Sequence, residues 1–329
     1  MRNPIVNYLI NNQFLTTLII LGLFWLSIEL SGILIIIFIS YIIVAALSPF
    51  SDFLVKKRVP RILSVLIPYA ITIAVLILLI FPLVPFFASQ IELLFTNFPK
   101  YINQVTKIFK LNVDTSNIND IFKSDINAVG QNALNVTGKI FGGFFSILTV
   151  LVIGFYLMLE RQMLKEKIII LLPKMHQEKG RETISRIEKK LGLWLRGQLI
   201  LSFTIGICTW IGLTALGLPF ALPLGLLAGL LEAVPTIGPI ISAVPAIIVA
   251  LTISPGLAVS IIVFYILLQM LENNILVPKI MEKAVGLNPI VIIVGVLIGS
   301  HFLGILGALL SVPFIAMLVI IFRSFKSSN

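Results

Sequence analysis

Leu222–Thr252 reads LPLGLLAGLLEAVPTIGPIISAVPAIIVALT, a run apolar enough for lipid that carries four prolines and one glutamate. As a single helix it would extend about 46 Å, against a hydrocarbon layer of about 30 Å. The stretch is therefore expected to be broken. VPTIGP at 234–239 is the expected break, because Pro235 and Pro239 lack an N–H and Gly238 permits turn geometry. Non-helical backbone persists at membrane depth only where protein or a water-filled cavity satisfies its polar groups, so this break is the first place to look for function.

Outward from it, the composition is that of a polytopic membrane protein. Of 329 residues, 58% are hydrophobic and 12% charged, and the mean hydropathy is +1.09. The net charge of +10 fits basic loops held on the cytoplasmic side against anionic lipid. No basic stretch is interleaved with aromatics as a base-stacking platform, so nucleic acid is not an expected partner. Cys208 is the lone cysteine, and His176 and His301 are far apart, so neither a disulfide nor a metal site is expected. The N-terminus has one arginine before its apolar run and no small-residue cleavage site, and reads as an uncleaved membrane segment.

In chain order, residues 1–88 read as N-terminal transmembrane helices. The apolar stretch 16–47 weakens at Glu29, Ser31 and Gly32 and suggests two short helices, and a third helix runs from about 62 to 86 after a basic cluster at Lys56, Lys57, Arg58 and Arg61. Residues 89–139 read as an amphipathic arm on the outer side, with five lysines and no arginine against four acids. A transmembrane helix at 140–159 follows. Residues 160–196 form a basic linker holding ten of the 24 lysines and arginines, which marks the cytoplasmic side; TISRIEKK at 183–190 suggests a short amphipathic helix with a salt-bridged, solvated surface. Residues 197–322 form a transport block and 323–329 a cytoplasmic tail. The cell membrane is the expected location, with both termini cytoplasmic.

The transport block contains a candidate repeat. A shift of 66 positions lays Pro223 on Pro289, Gly229 on Gly295 and Gly238 on Gly304, and Pro245 meets Pro313 after a two-residue insertion. Each unit would be a full helix followed by a broken hairpin. If both broken runs are re-entrant, Lys279, Lys283, Arg323 and Lys326 share the cytoplasmic side, as the positive-inside rule prefers. The expected fold is all-α, a polytopic helical membrane protein with two re-entrant hairpins arranged as an inverted repeat, the plan of many secondary transporters.

Three motifs carry a family resemblance. Leu193–Thr252, beginning LWLRGQLILSFTIG, resembles the signature region of the AI-2E family of transporters; QMLENNILVP at 269–278 resembles its QxxEN…P segment; Gly286–Pro313 resembles its GLxP…GxxxGxxGxLxxxP close. The resemblance implies a multi-pass transporter related to autoinducer-2 exporters, with some relatives assigned as sodium or lithium/proton antiporters, and it suggests homo-oligomers. This chain has EAVPT, with Ala233 and Thr236, where family members often carry aromatics.

Chemistry is expected at three places. Glu232 is an ionisable group within an apolar run and needs a partner, a proton or a cation; the alternative is a wetted hairpin tip or a backbone cap. Gln269, Glu272 and Asn273 share a helical face at i, i+3 and i+4, with Asn274 beside them, and could hold a cation or a polar solute; the alternative is an ordinary polar helix end. Thr236, Gly238 and Ser242 in the first run and Ser300, His301 and Gly304 in the second mark the expected tips, where helix ends present partial charges. No Walker sequence occurs, so direct ATP coupling is not expected. No cofactor, enzyme activity or metal site is expected.

The leading expectation is export of a small polar organic solute, autoinducer-2-like, by alternating access. Cation/proton antiport through Glu232 and Glu272 is the alternative within transport, and a membrane scaffold is the alternative from another class. The lipid bilayer, a small-molecule or cation substrate and further copies of the chain are the expected partners.

Overall fold

The computed structural model describes residues 29–78, 146–234, 237–281, 286 and 288–326, with 17, 21–22 and 25–26 nearer the N-terminus. All regular structure among these residues is helical. The elements are α1 (Ser31–Lys56), α2 (Arg61–Leu78), α3 (Ser146–Leu159), α4 (Arg161–Ile170) and α5 (Gln177–Ala215). They continue with α6 (Ala221–Leu231), α7 (Ile237–Ile253), α8 (Pro255–Leu271), a π-turn (Glu272–Leu276), α9 (Val277–Met281) and α10 (Pro289–Lys326). By length and composition, Ser31–Lys56, Arg61–Leu78, Lys174–Ala215 and Pro255–Met281 could cross a membrane; Ile290–Ser324 is also long and apolar enough but is folded at Gly304, and α3 and α4, bent by 72° at their junction, would make a further span. The outside of the bundle suits lipid, with Leu78, Phe203, Phe302 and Ile305 70–76% exposed.

Local chemistry explains several boundaries. Ser254 caps α8 by accepting from the Leu257 N–H at 3.1 Å, with Pro255 where a missing N–H costs nothing. Asn288 accepts from the Ile290 N–H at 2.9 Å at the start of α10. Pro49 sits inside α1 without ending it. Proline removes the N–H that would reach the Ala45 carbonyl, and the Ser48 hydroxyl donates there instead at 3.2 Å. The helix expected to end near residue 47 accordingly runs to Lys56.

α5 is the mast of the molecule. Its buried stripe includes Ile187, Leu191, Trp194, Leu201 and Ile205, which pack with Ile42 and Ala45 of α1, Ala228 of α6, Leu268 of α8, Met281 of α9 and Leu310 of α10. At its C-terminal end a second core joins Leu213, Leu224, Ala246, Ala250 and Ile261. Val44, Val65, Tyr69 and Leu151 bind α1, α2 and α3 together. Sequence composition suggested a linker ending at 196, yet α5 is one helix of 39 residues through that point. Gly192 and Gly197 do not break it, because a Cβ at Gly192 would strike the Ala45 carbonyl and one at Gly197 would meet Met281: both glycines serve close packing.

The basic ends gather together. Arg161 bonds Glu188 in α5 at 3.0 Å and Asp52 in α1 at 3.4 Å, and the Thr183 and Ser324 hydroxyls meet at 2.8 Å, bringing the end of α10 to the start of α5. Glu188 is buried rather than solvated as expected for TISRIEKK, because it turns inward to Arg161. Arg186 of that stretch does form an exposed pair, with Glu182 at 3.2 Å, and Arg181 beside it pairs with Glu166 at 2.7 Å and Glu178 at 3.0 Å.

Both broken runs fold back on themselves. In a continuous helix residues 299 and 307 would stand about 12 Å apart. Instead a Cβ on Gly299 would strike the Gly307 carbonyl, and one on Gly295 would strike Ile315. The turn is Gly304, at φ 59° and ψ −140°, and α10 is thus a hairpin. In the first run, α6 and α7 meet end to end at Leu231 and Gly238, and Leu224 reaches Ala246 and Ala250. The positions matched by the 66-residue offset do different work: Gly304 makes its turn, whereas Gly238 lies just inside α7; Gly295 faces its own hairpin arm, whereas Gly229 packs on Gly206 of α5. The arm expected at 89–139 lies outside the described residues, as do 79–88.

Candidate functional site

The site forms where the tip of the first hairpin meets the end of α8. After α6 the chain tightens, the N–H groups of Ala233 and Val234 donating to the carbonyls of Leu230 (3.2 Å) and Leu231 (3.0 Å). That turn directs Glu232 inward, where it is 0% exposed. Pro235 and Thr236 lie outside the described residues. Gly238 abuts the Leu231 carbonyl so closely that a Cβ could not fit. Pro239 stands in the first turn of α7, where its missing N–H leaves no intrahelical bond unmade.

Opposite, α8 widens into the π-turn, with the Val277 N–H donating to the Glu272 carbonyl five residues back. Such a turn inserts a residue into the helical register and is common at functional sites. It leaves Glu272 3% exposed, while Asn273 and Asn274 face out. The Asn274 side chain donates to the Met270 carbonyl at 2.9 Å.

The Glu232 and Glu272 carboxyls lie within hydrogen-bonding reach of one another, with the Gln269 side chain beside Glu272. Among the described residues no N–H or hydroxyl reaches either oxygen of Glu232, nor Oε2 of Glu272. A third element completes the site. Gln198 of α5, 4% exposed, donates through Nε2 to the Glu232 carbonyl at 2.7 Å. Just behind, the Ser242 hydroxyl donates to the Pro239 carbonyl at 2.9 Å, and Tyr265 donates to the Ser242 carbonyl at 3.3 Å.

Glu232, Gln269 and Glu272 are thus brought together; Gly238, Pro239 and Ser242 shape the tip. Asn273 is not at the site, because the face shared by 269, 272 and 273 in an α-helix is rearranged by the π-turn. Ser300, His301 and Gly304 lie on the other hairpin. The Ser300 hydroxyl donates to the Leu297 carbonyl at 2.8 Å and His301 packs edge-on against Phe302, so neither joins the carboxyl pair. Gln198 and Tyr265 were not among the residues expected here. Gln198 continues the buried stripe of Leu191, Trp194, Leu201 and Ile205 along α5, which only the fold reveals.

Chemically, two buried carboxyls beside one amide can take up a proton or a small cation between their oxygens. They make a poor site for a large apolar ligand, and no third acid, histidine or cysteine among the described residues joins them to hold a metal ion.

With this geometry in place, comparison with known proteins decides the family. The AI-2E family transporter profile matches residues 14–327. The chain belongs to the AI-2E family of transporters. "Putative transport protein YrrI" of Bacillus subtilis (strain 168) is 28% identical over 319 residues, 92% of this chain and 88% of the relative. "Putative transport protein YueF" of the same organism is 27% identical over 282 residues, 80% of this chain and 76% of the relative. "AI-2 transport protein TqsA" of Escherichia coli (strain K12) is 28% identical over 280 residues, 82% of this chain and 80% of the relative. This AI-2E family member is therefore a multi-pass membrane protein of a transporter family.

Proposed function

We propose that the protein is a secondary transporter that moves a small polar organic solute by alternating access, with proton movement coupled through Glu232 and Glu272. The observation that carries the proposal is the burial of two adjacent carboxyls, 0% and 3% exposed, with no N–H or hydroxyl among the described residues reaching either oxygen of Glu232 or Oε2 of Glu272. Two negative charges cannot remain together in such a place, since each loses its hydration and repels the other. The pair needs a proton or a cation, and a group whose charge depends on what it holds can couple one movement to another.

The hairpin supplies the moving part. Its tip is tied to α5 through Gln198 and the Glu232 carbonyl, and its arms pack at the other end of α5. The second hairpin, α10, packs on the basic half of α5. Hairpins packed on opposite halves of one mast support the re-entrant, inverted arrangement with alternating access. The name of TqsA supports an autoinducer-2-like solute, and export is the direction proposed.

The test is flux in reconstituted vesicles. Wild-type protein should carry a solute from a panel of small polar metabolites, autoinducer-2 included, with a rate set by the pH gradient; Glu232→Gln should remove that dependence. No protein-dependent flux across the panel would overturn the solute reading.

A second reading is sodium or lithium/proton antiport. The two carboxyls and the Gln269 carbonyl are oxygen donors of the type such ions take. Here sodium or lithium alone should discharge an imposed pH gradient through wild-type protein and not through Glu232→Gln.

A further inference from the structure

The basic ends of three helices enclose a cleft well away from the carboxyl pair. It measures about 570 Å³ and lies between the last turns of α1, α4 and the N-terminal half of α5. Five cations line it: Lys56 from α1, Arg161 and Lys165 from α4, Lys189 and Arg196 from α5. Among the described residues only two acids face them, Asp52 and Glu188, and both are engaged by the single guanidinium of Arg161. That leaves an excess of three positive charges around one concavity.

The remaining cations are incompletely used. Lys165 donates to the Ser185 hydroxyl at 2.5 Å, and Arg196 donates through Nη1 to the Ala46 carbonyl at 3.0 Å, which leaves other N–H groups on both side chains. Among the described residues neither Lys56 nor Lys189 forms an ion pair. Structural ion pairing alone would match these charges with acids; here the acids are consumed by Arg161 and the lysines are not. One wall of the cleft is apolar, formed by Ala45, Pro49 and Phe53 of α1, and Phe53 is 55% exposed. The site therefore combines a convergent cationic rim with an apolar wall that continues into a membrane span.

We propose that this cleft is a binding site for a phosphate-bearing anion, gripped by Lys56, Lys165, Lys189 and Arg196, with Arg161 held in place by its two acids. Phosphate oxygens accept from several directions at once, which suits cations arriving from three helices, and charge-assisted bonds of this kind are among the strongest available to a partly exposed site. The ligand is an anionic phospholipid headgroup or a free phosphorylated solute; both present the same group. Because it would touch α1, α4 and α5 together, its occupancy would brace the mast against its neighbours. The site stands independently of the transport reading.

The experiment uses the full-length protein in two kinds of nanodisc. One contains phosphatidylcholine alone and is titrated with inorganic phosphate; the other contains phosphatidylglycerol without added phosphate. Ligand held by the folded protein should raise the unfolding temperature by several degrees. The same measurements are made on Lys56→Ala/Lys189→Ala, which removes two cations that form no ion pair among the described residues and should unfold at the wild-type temperature in phosphatidylcholine. Stabilisation by phosphatidylglycerol alone identifies a lipid headgroup, and stabilisation by phosphate identifies a soluble ligand. In either case the double variant should bind roughly tenfold or more weakly. Lack of stabilisation by both probes would overturn the proposal, as would stabilisation equal in wild type and double variant. Should the double variant unfold early, Lys189→Glu provides the same comparison by reversing one charge on the exposed rim.

Discussion

At Glu232 and Glu272 the demands of stability and function separate. Glu232→Gln gives the pair an amide N–H to donate to Glu272, so the folded protein should be as stable as wild type while losing proton-coupled flux. Thermal unfolding in detergent and vesicle flux, made on one preparation, check both parts; coupled flux retained by a folded variant would remove Glu232 from the mechanism. Gln198→Ala acts differently. It strips the buried Glu232 carbonyl of its donor and should cost about 1–3 kcal/mol, read as a lowered unfolding temperature. The acids were legible in the sequence because a carboxyl in an apolar run always needs explaining. Gln198 was not, because an amide close to Arg196 resembles the polar margin of a span until the buried stripe of α5 is known. Asn273 was misplaced for a geometric reason: the i, i+4 rule assumes an α-helical register, and the π-turn departs from it.

Among the elements, the two hairpins turn by different means, and substitution should tell them apart. Gly304 has open space around it but a backbone at φ 59° and ψ −140° that side chains disfavour. Gly304→Ala should therefore cost about 1–3 kcal/mol through strain alone, and Gly304→Asn should not rescue it, since that ψ is outside the left-handed helical region asparagine tolerates. Gly238 does not have a positive φ and instead lacks room, so Gly238→Ala should separate α7 from the Leu231 carbonyl. The expected cost is about 1–3 kcal/mol, together with altered flux because Glu232 is the next residue along. Unfolding temperatures of the three variants, with flux for Gly238→Ala, make the comparison. Proline and glycine positions revealed that both runs break. They did not reveal which glycine turns, because a sterically required glycine and a conformationally required one look the same in sequence. Likewise, the shift from charged to apolar residues near 196 imitated a boundary that α5 crosses without interruption.

For the molecule as a whole, α5 joins the basic end, the first hairpin and the second into one body, and its two ends hold different chemistry. Asp52, Arg161, Glu188, Thr183 and Ser324 gather at one end. The carboxyl pair lies further along the mast, beside Gln198. A membrane protein arranged in this way should use that pair as its charge-changing centre. The most direct measurement is infrared spectroscopy of the full-length protein in lipid at neutral pH, in buffer free of sodium and lithium. A protonated-carboxyl band should be present in wild type and absent from Glu232→Gln/Glu272→Gln, and its loss on adding sodium would favour the antiport reading. Absence of any such band dependent on these two residues would mean that both acids are ionised together, and would contradict the account.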